Sequence, residues 1–131
     1  MNKRRSIEVA GLQHENPIPI ASQIGPWLVT SGIFGKDTTT GKIPTAIEEQ
    51  CAHLFANIRL ILTAVGGTPD DIIKLTVWLR DKSHRTHINK EWLAMFPDEH
   101  SRPARHTFQN PDLPEAALVQ AEVMAVISAA N

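Results

Sequence analysis

The chain reads as one α+β domain, residues 1–131: a β-sheet with two helices on one face. Three observations predict this. Ile47, Cys51, Leu54, Phe55, Ile58, Leu62 and Val65 recur mostly at three- and four-residue steps, which lines them along one side of a helix. Ala117, Val119, Ala121, Val123, Ala125 and Ile127 alternate with Leu118, Gln120, Glu122 and Met124, the pattern of a strand with two unlike faces. At 131 residues, 42% of them hydrophobic and 21% charged, the chain is long enough for one core and too apolar for disorder.

The elements follow in order. Ser6–Gly11 forms a short strand and Trp27–Ser31 a second, with an extended segment carrying Pro17 and Pro19 between them. Gly32 and Gly35 flank Ile33-Phe34, marking tight turns or a close backbone approach. Asp37, the three threonines after it, Gly41 and Pro44 make Lys36–Pro44 a turn-rich loop. Thr45-Ala46-Ile47-Glu48 fits a capping box that opens the first helix, and Gly66-Gly67 stops it. Thr68–Asp71 turns into a strand, Ile72–Arg80, with Ile73, Leu75, Val77 and Leu79 on one side and Lys74, Thr76 and Trp78 on the other. Ser83 caps a second helix whose apolar face is Ile88, Trp92, Leu93 and Phe96, and Pro97 ends it.

Arg102–Phe108 and Ala117–Ile127 complete the order ββ-α-β-α-ββ, as hairpin partners across the Pro111–Pro114 connection. The small apolar side chains of the last strand suit helix packing. Its other face sets Gln120 and Glu122 between Leu118 and Met124, with Thr76 and Trp78 on a neighbouring strand. That face is too apolar for free solvent and too polar for a core, which predicts a symmetric homo-oligomer.

Composition narrows function. A net charge of −1 and a pI near 6.6 provide no basic field to recruit nucleic acid. Cys51 is the only cysteine, so neither a disulfide framework nor a thiolate metal cluster is expected, and its place in the helix stripe makes it a small core residue. Met1–Arg5 is basic, but Ser6-Ile7-Glu8 follows where a signal peptide needs an apolar run. No stretch approaches the ~20 apolar residues of a membrane span. A cytoplasmic protein without membrane contact is expected. His14, His53, His84, His87, His100 and His106 show no metal-ligand spacing, and His84 and His87 read as a solvated helix face. Lys3-Arg4-Arg5 reads as a frayed, solvated terminus.

The chemistry centres on Ser101-Arg102-Pro103-Ala104-Arg105-His106. Proline stiffens this stretch, and a guanidinium on a rigid strand offers a planar fork for a carboxylate or phosphate. Arg105 is the leading candidate; His106 points to the other side of the strand. On hairpin strands Arg105, Gln120 and Glu122 would converge on one cleft, where an arginine anchors a carboxylate and a polar group orients water against a C=N bond. Ser31-Gly32 at a strand end and Asn89 on the second helix are further candidates to line it.

These stretches together resemble the RidA/YjgF family, also described as endoribonuclease L-PSP proteins or enamine/imine deaminases. The matching residues are Thr30-Ser31-Gly32, Asp37–Lys42, Gln50, Asn57-Ile58, Asp71–Val77, Ile88-Asn89 and Arg102–Arg105, so the likeness runs from about Ile18 to Val126. The resemblance implies a chorismate-mutase-like fold assembled as a trimeric barrel, with ligand clefts between subunits. It places Arg105 on the substrate carboxylate, with Ser31, Gly32 and Asn89 lining the cleft. It implies no metal and no organic cofactor. Two positions depart from the family: Gln120 stands where a water-positioning glutamate is common, and Ile18 where a tyrosine is. Glutamine orients water but cannot take its proton. Glu122, two residues on and on the same face, lies about 6.5–7 Å away along the strand.

The resemblance therefore implies hydrolysis of small 2-imino acids, 2-aminoacrylate-like species among them, to 2-keto acids and ammonia. Arg105 would bind the substrate and Gln120 would orient the water. Two alternatives stand beside it: a deaminase for a larger dicarboxylate of the 2-aminomuconate type, and a non-catalytic trimer that binds or senses the same anion. RNA cleavage, in the family's older description, is disfavoured by near-neutral charge and the lack of a paired histidine–acid site.

Overall fold

In the computed structural model, which describes residues 3–114 and 116–128, the strand-forming runs join one mixed sheet. Residues 1, 2, 115 and 129–131 of the expected domain lie outside the described ones. The elements are β1 (Arg5–Ile7), β2 (Ala21–Ile24), β3 (Trp27–Thr30), β4 (Ile33–Phe34), α1 (Ile47–Ala64), β5 (Ile72–Leu79), α2 (Arg85–Met95), β6 (Ala104–Gln109) and β7 (Val119–Val126). The sheet order is β1-β2-β3-β7-β5-β6, and β4 pairs with β7 beyond the end of β3. Only β5 and β6 are parallel, joined by the α2 crossover.

The expected hairpin of the last two strands is overturned, because β5 lies between β6 and β7. The physical reason is visible in their side chains. β5 buries Ile72, Leu75, Val77 and Leu79 and belongs in the middle, whereas β6, with Arg105, His106, Thr107 and Gln109, has no continuous apolar face and takes the edge.

Near the N-terminus β1 is shorter than expected, because the chain turns at Ala10-Gly11, with Leu12 N–H donating to Val9 O and Gly11 at φ 85°. Arg5 is not frayed: it lies in β1 and donates from Nη2 to Gln23 Oε1 at 2.8 Å. Strand β2 falls in the supposed extended segment. Its pattern is inverted, with Gln23 buried and Ile24 exposed, so polarity hides the alternation. Gly25 (φ 55°) followed by Pro26 closes β2 and β3 into a two-residue hairpin.

Helix α1 buries Cys51, Leu54, Phe55, Ile58 and Leu62 as its stripe requires, and Ile61 with them. Its N-cap is Ala46 without a side-chain cap, so the Thr45–Glu48 box does not form. At the other end Gly67 N–H donates to Leu62 O and Gly66 N–H to Thr63 O, with Gly66 at φ 75°, the glycine stop the sequence predicts. Ser83 does not cap α2. It belongs to a 3-10 turn, Lys82–His84, whose cap is Asp81, accepting from Ser83 N at 2.9 Å. Leu93 points outward, and Met95 joins Ile88 and Phe96 in the core instead. In β5 an irregular register between Ile72 and Lys74 turns Ile73 out and Ile72 in.

The two-faced last strand is as expected. Ala117, Val119, Ala121, Val123, Ala125 and Ile127 are all buried in the core beneath the helices. The opposite sheet face leaves Trp27 54%, Val29 44% and Met124 39% exposed, and Phe108, stacked on Trp78 at 6.4 Å between centroids, 49%. No helix among the described residues is long and apolar enough to cross a membrane.

Candidate functional site

Sheet register decides where each candidate points. Leu75 pairs with both Arg105 and Val123, so the Arg105 side chain leaves the sheet on the helix side. Trp78 pairs with Gln120, and Thr76 with Glu122 and His106, which puts these on the open face. Within the chain Arg105 and Gln120 therefore do not converge, contrary to the expected single cleft. His106 does point away from Arg105, as expected.

On the helix side, Arg105 Nη2 donates to Asn89 Oδ1 at 2.8 Å and Nε to Thr107 Oγ1 at 3.0 Å. Its guanidinium lies over the Trp92 ring, 5.0 Å from the centroid. A guanidinium has five donor hydrogens, so two are engaged and three remain, both on Nη1 and one on Nη2. Burial, followed by the charge of Arg85, depresses the Arg105 pKa below its ordinary value, in keeping with a cation partly desolvated beside another. Arg102 instead ties the end of α2, its Nε donating to Phe96 O at 2.9 Å.

The second cluster forms where β3 passes into β4. Val29 pairs with Met124 and Ile33 with Ala121, so four steps on one side oppose three on the other. Ser31-Gly32 form the resulting bulge, and Thr30 Oγ1 fills the gap in the ladder by accepting from Val123 N at 2.9 Å. Ser31 is fixed twice, donating from Oγ to Pro19 O at 2.7 Å and from N to Ile20 O at 2.8 Å. A Cβ on Gly32 would overlap the Gln120 amide, so glycine is what lets that side chain lie against the bulge. Gly35 likewise lies against the backbone of Gln50, the close approach the sequence predicts. Ser31, Gly32 and Gln120 are thus together. Ile18 is exposed on the adjoining Pro17–Pro19 segment, on the wall of a surface cleft with His14 and Asn16.

Three residues that sequence reasoning gave no such role hold these rims from inside. Buried Asn57 donates from Nδ2 to Phe34 O and Lys36 O, both at 2.9 Å. Buried Gln50 donates to Pro44 O at 2.7 Å and Ala116 O at 3.0 Å, and accepts from Leu118 N at 2.9 Å. Arg80 donates to the carbonyls of Pro111, Leu113, Pro114 and Ala117, fixing the approach to β7. A polar residue at a stripe position of α1 was the available signal for Asn57 and Gln50.

The remaining candidates are placed as follows. Burial pushes the Cys51 thiol up to about 12, so it is no nucleophile at neutral pH. His87 is half-buried, its Nε2 3.6 Å from Glu48 Oε1 on α1, rather than on a fully solvated face. Among the described residues no three His, Cys, Asp or Glu side chains gather as metal ligands.

The family model of endoribonuclease L-PSP matches residues 12–127. A RutC family protein of Aquifex aeolicus is 30% identical over 115 residues, covering 84% of this chain and 92% of that protein. The 2-iminobutanoate/2-iminopropanoate deaminase of Escherichia coli is 28% identical over 104 residues, covering 79% and 81%. Among solved structures, the Rid family protein YyfA of Yersinia pestis superposes with a TM-score of 0.88 at 28% identity, over 95% of this chain and all of that one. With a family match across nearly its whole length and the same mixed sheet and two helices in a solved relative, the chain belongs to the endoribonuclease L-PSP family, the RidA/YjgF family that its motifs resemble.

Proposed function

We propose that the protein is an imine/enamine deaminase that hydrolyses small 2-imino acids to 2-keto acids and ammonia. The observation that carries this reading is Arg105: a partly desolvated guanidinium oriented by Asn89 and Thr107, with three donors left for a carboxylate. The 2-iminobutanoate/2-iminopropanoate deaminase of Escherichia coli, a relative at 28% identity, is in accord with it. In the reaction water adds to the imine carbon and the carbinolamine expels ammonia. Gln120, beside Ser31-Gly32, orients the water, which passes its proton to solvent or to the departing amine. No metal or organic cofactor takes part.

Arg105 and Gln120 leave opposite faces of the sheet, so the reading requires one subunit's Arg105 to meet a neighbour's Gln120 and Ile18. We assign that meeting to a homotrimer packed through the open face of Trp27, Val29, Phe108 and Met124, in keeping with the family resemblance. The deciding experiment follows keto acid released from 2-iminobutanoate generated in situ by an amino-acid oxidase. Wild type accelerates release and Arg105→Ala does not; no acceleration by wild type overturns the reading. Gln120 favours one other reading, an anion-binding trimer without turnover, which tight 2-oxobutanoate binding in the absence of product formation would select.

A further inference from the structure

Helix α2 turns one side toward Arg105. Asn89 and Trp92 on that side touch it, and Arg85 sits one turn before Asn89. Residues four apart on a helix have Cβ atoms only about 5–6 Å from one another, so Arg85 lies along the same edge as the contact to Arg105. Its charge is felt there, as the second cause of the depressed Arg105 pKa. Among the described residues, neither arginine has an Asp or Glu oxygen within ion-pair distance. Two neighbouring cations without a carboxylate between them repel, and an anion bridging them removes that repulsion. One carboxylate held by the remaining donors of Arg105 leaves Arg85 without an anionic partner among the described residues.

We propose that Arg85 is a second anchor, and that the ligand is a 2-imino or 2-oxo acid with a second carboxylate on its side chain. The inference rests on the Arg105 site proposed above and names its substrate class. Arg105 holds the carboxylate next to the reacting carbon, and Arg85, exposed at the start of α2, receives the distal one. The exposed position costs little desolvation and lets the arginine adjust to chain length.

Calorimetry with 2-oxoglutarate and 2-oxobutanoate tests this without requiring turnover. Wild type should bind the dicarboxylate about tenfold more tightly, the size of one charge-assisted contact. Arg85→Ala should abolish that preference, Arg85→Glu reverse it and Arg85→Lys keep part of it, with thermal unfolding checking each fold. Equal affinities in wild type, or a preference that survives Arg85→Glu, overturns the inference. The corresponding imines are then assayed for hydrolysis. An Arg85-dependent preference without hydrolysis of either imine overturns the deaminase reading and leaves the second anchor standing; hydrolysis of both imines without a binding preference does the reverse.

Discussion

Arg105 and Asn89 meet across the gap between an edge strand and a helix, Nη2 to Oδ1 at 2.8 Å. The bond fixes the plane of the guanidinium, so in the proposed site Asn89 acts on ligand affinity through Arg105. Asn89→Ala should raise the Kd for 2-oxobutanoate about tenfold, and Arg105→Lys, which loses the planar fork, by more. Titration calorimetry reads both. Unchanged affinity in Arg105→Lys would exclude the fork as the anchor.

Gly32 and Gln120 form a second linked pair. Gly32→Ala forces the Gln120 amide off the bulge and should cut imine hydrolysis at least tenfold, while costing only about 1 kcal/mol of stability because the clash falls on a flexible side-chain end. Gln120→Glu supplies a proton acceptor. It should raise the hydrolysis rate about tenfold or more and add an acidic limb to the pH–rate profile, lost as the new carboxylate protonates. A rate that stays flat with pH would place the water elsewhere.

Arg80 binds four carbonyls of the segment entering β7. Arg80→Ala should destabilise the fold by about 2 kcal/mol, since several carbonyls lose a charge-assisted donor at once. That corresponds to a fall of roughly 6–10 °C in Tm by differential scanning calorimetry.

Acid should weaken the fold through its turn carboxylates. For Asp81 the bond from Ser83 N is the main cause of a pKa below 3.8. For Asp71 partial burial acts upward and is outweighed by bonds from Thr68 and Ser128, leaving it below 3.8 as well. A depressed folded-state pKa gives stability that is complete above the unfolded value and lost as pH falls through the folded one. Urea midpoints should therefore hold down to about pH 5 and decline below about pH 4. In Asp71→Asn and Asp81→Asn that decline should be shallower.

The proposed trimer makes a further prediction. Val29→Glu puts a charge in the middle of the open apolar face beside Met124. Sedimentation should show monomer for this variant and trimer for wild type, and hydrolysis should fall with assembly because the proposed clefts draw on two subunits.

Much of the fold was legible because the strongest signals were periodic. The stripe of α1 and the alternation from Ala117 to Ile127 were each long enough to outweigh local exceptions. Strand β2 escaped because a buried glutamine and an exposed isoleucine inverted its pattern. The neighbours of β7 escaped for a different reason: chain order says nothing of the β5–α2–β6 crossover, and a hairpin is the simplest connection of two successive strands. That error carried into the site by setting Arg105 beside Gln120, when the register places them on opposite faces. Arg105, Asn89, Ser31 and Gly32 were candidates on residue chemistry alone, and the motif resemblance supplied the roles expected of them. Trp92, read as core, also supports the guanidinium, because an aromatic ring at a helix margin serves an apolar and a cationic neighbour together.

Gln50 and Asn57 lie inside the protein, yet their bonds end at Phe34, Lys36, Pro44, Ala116 and Leu118, around the rims of the candidate site. The frame of the site is thus held by α1, independently of the side chains that face a ligand. Gln120 can be exchanged for another side chain without dismantling the neighbouring backbone at Phe34–Lys36 and Ala116–Leu118. A scaffold anchored in this way can change what it recognises one surface residue at a time, while its two interior amides stay fixed.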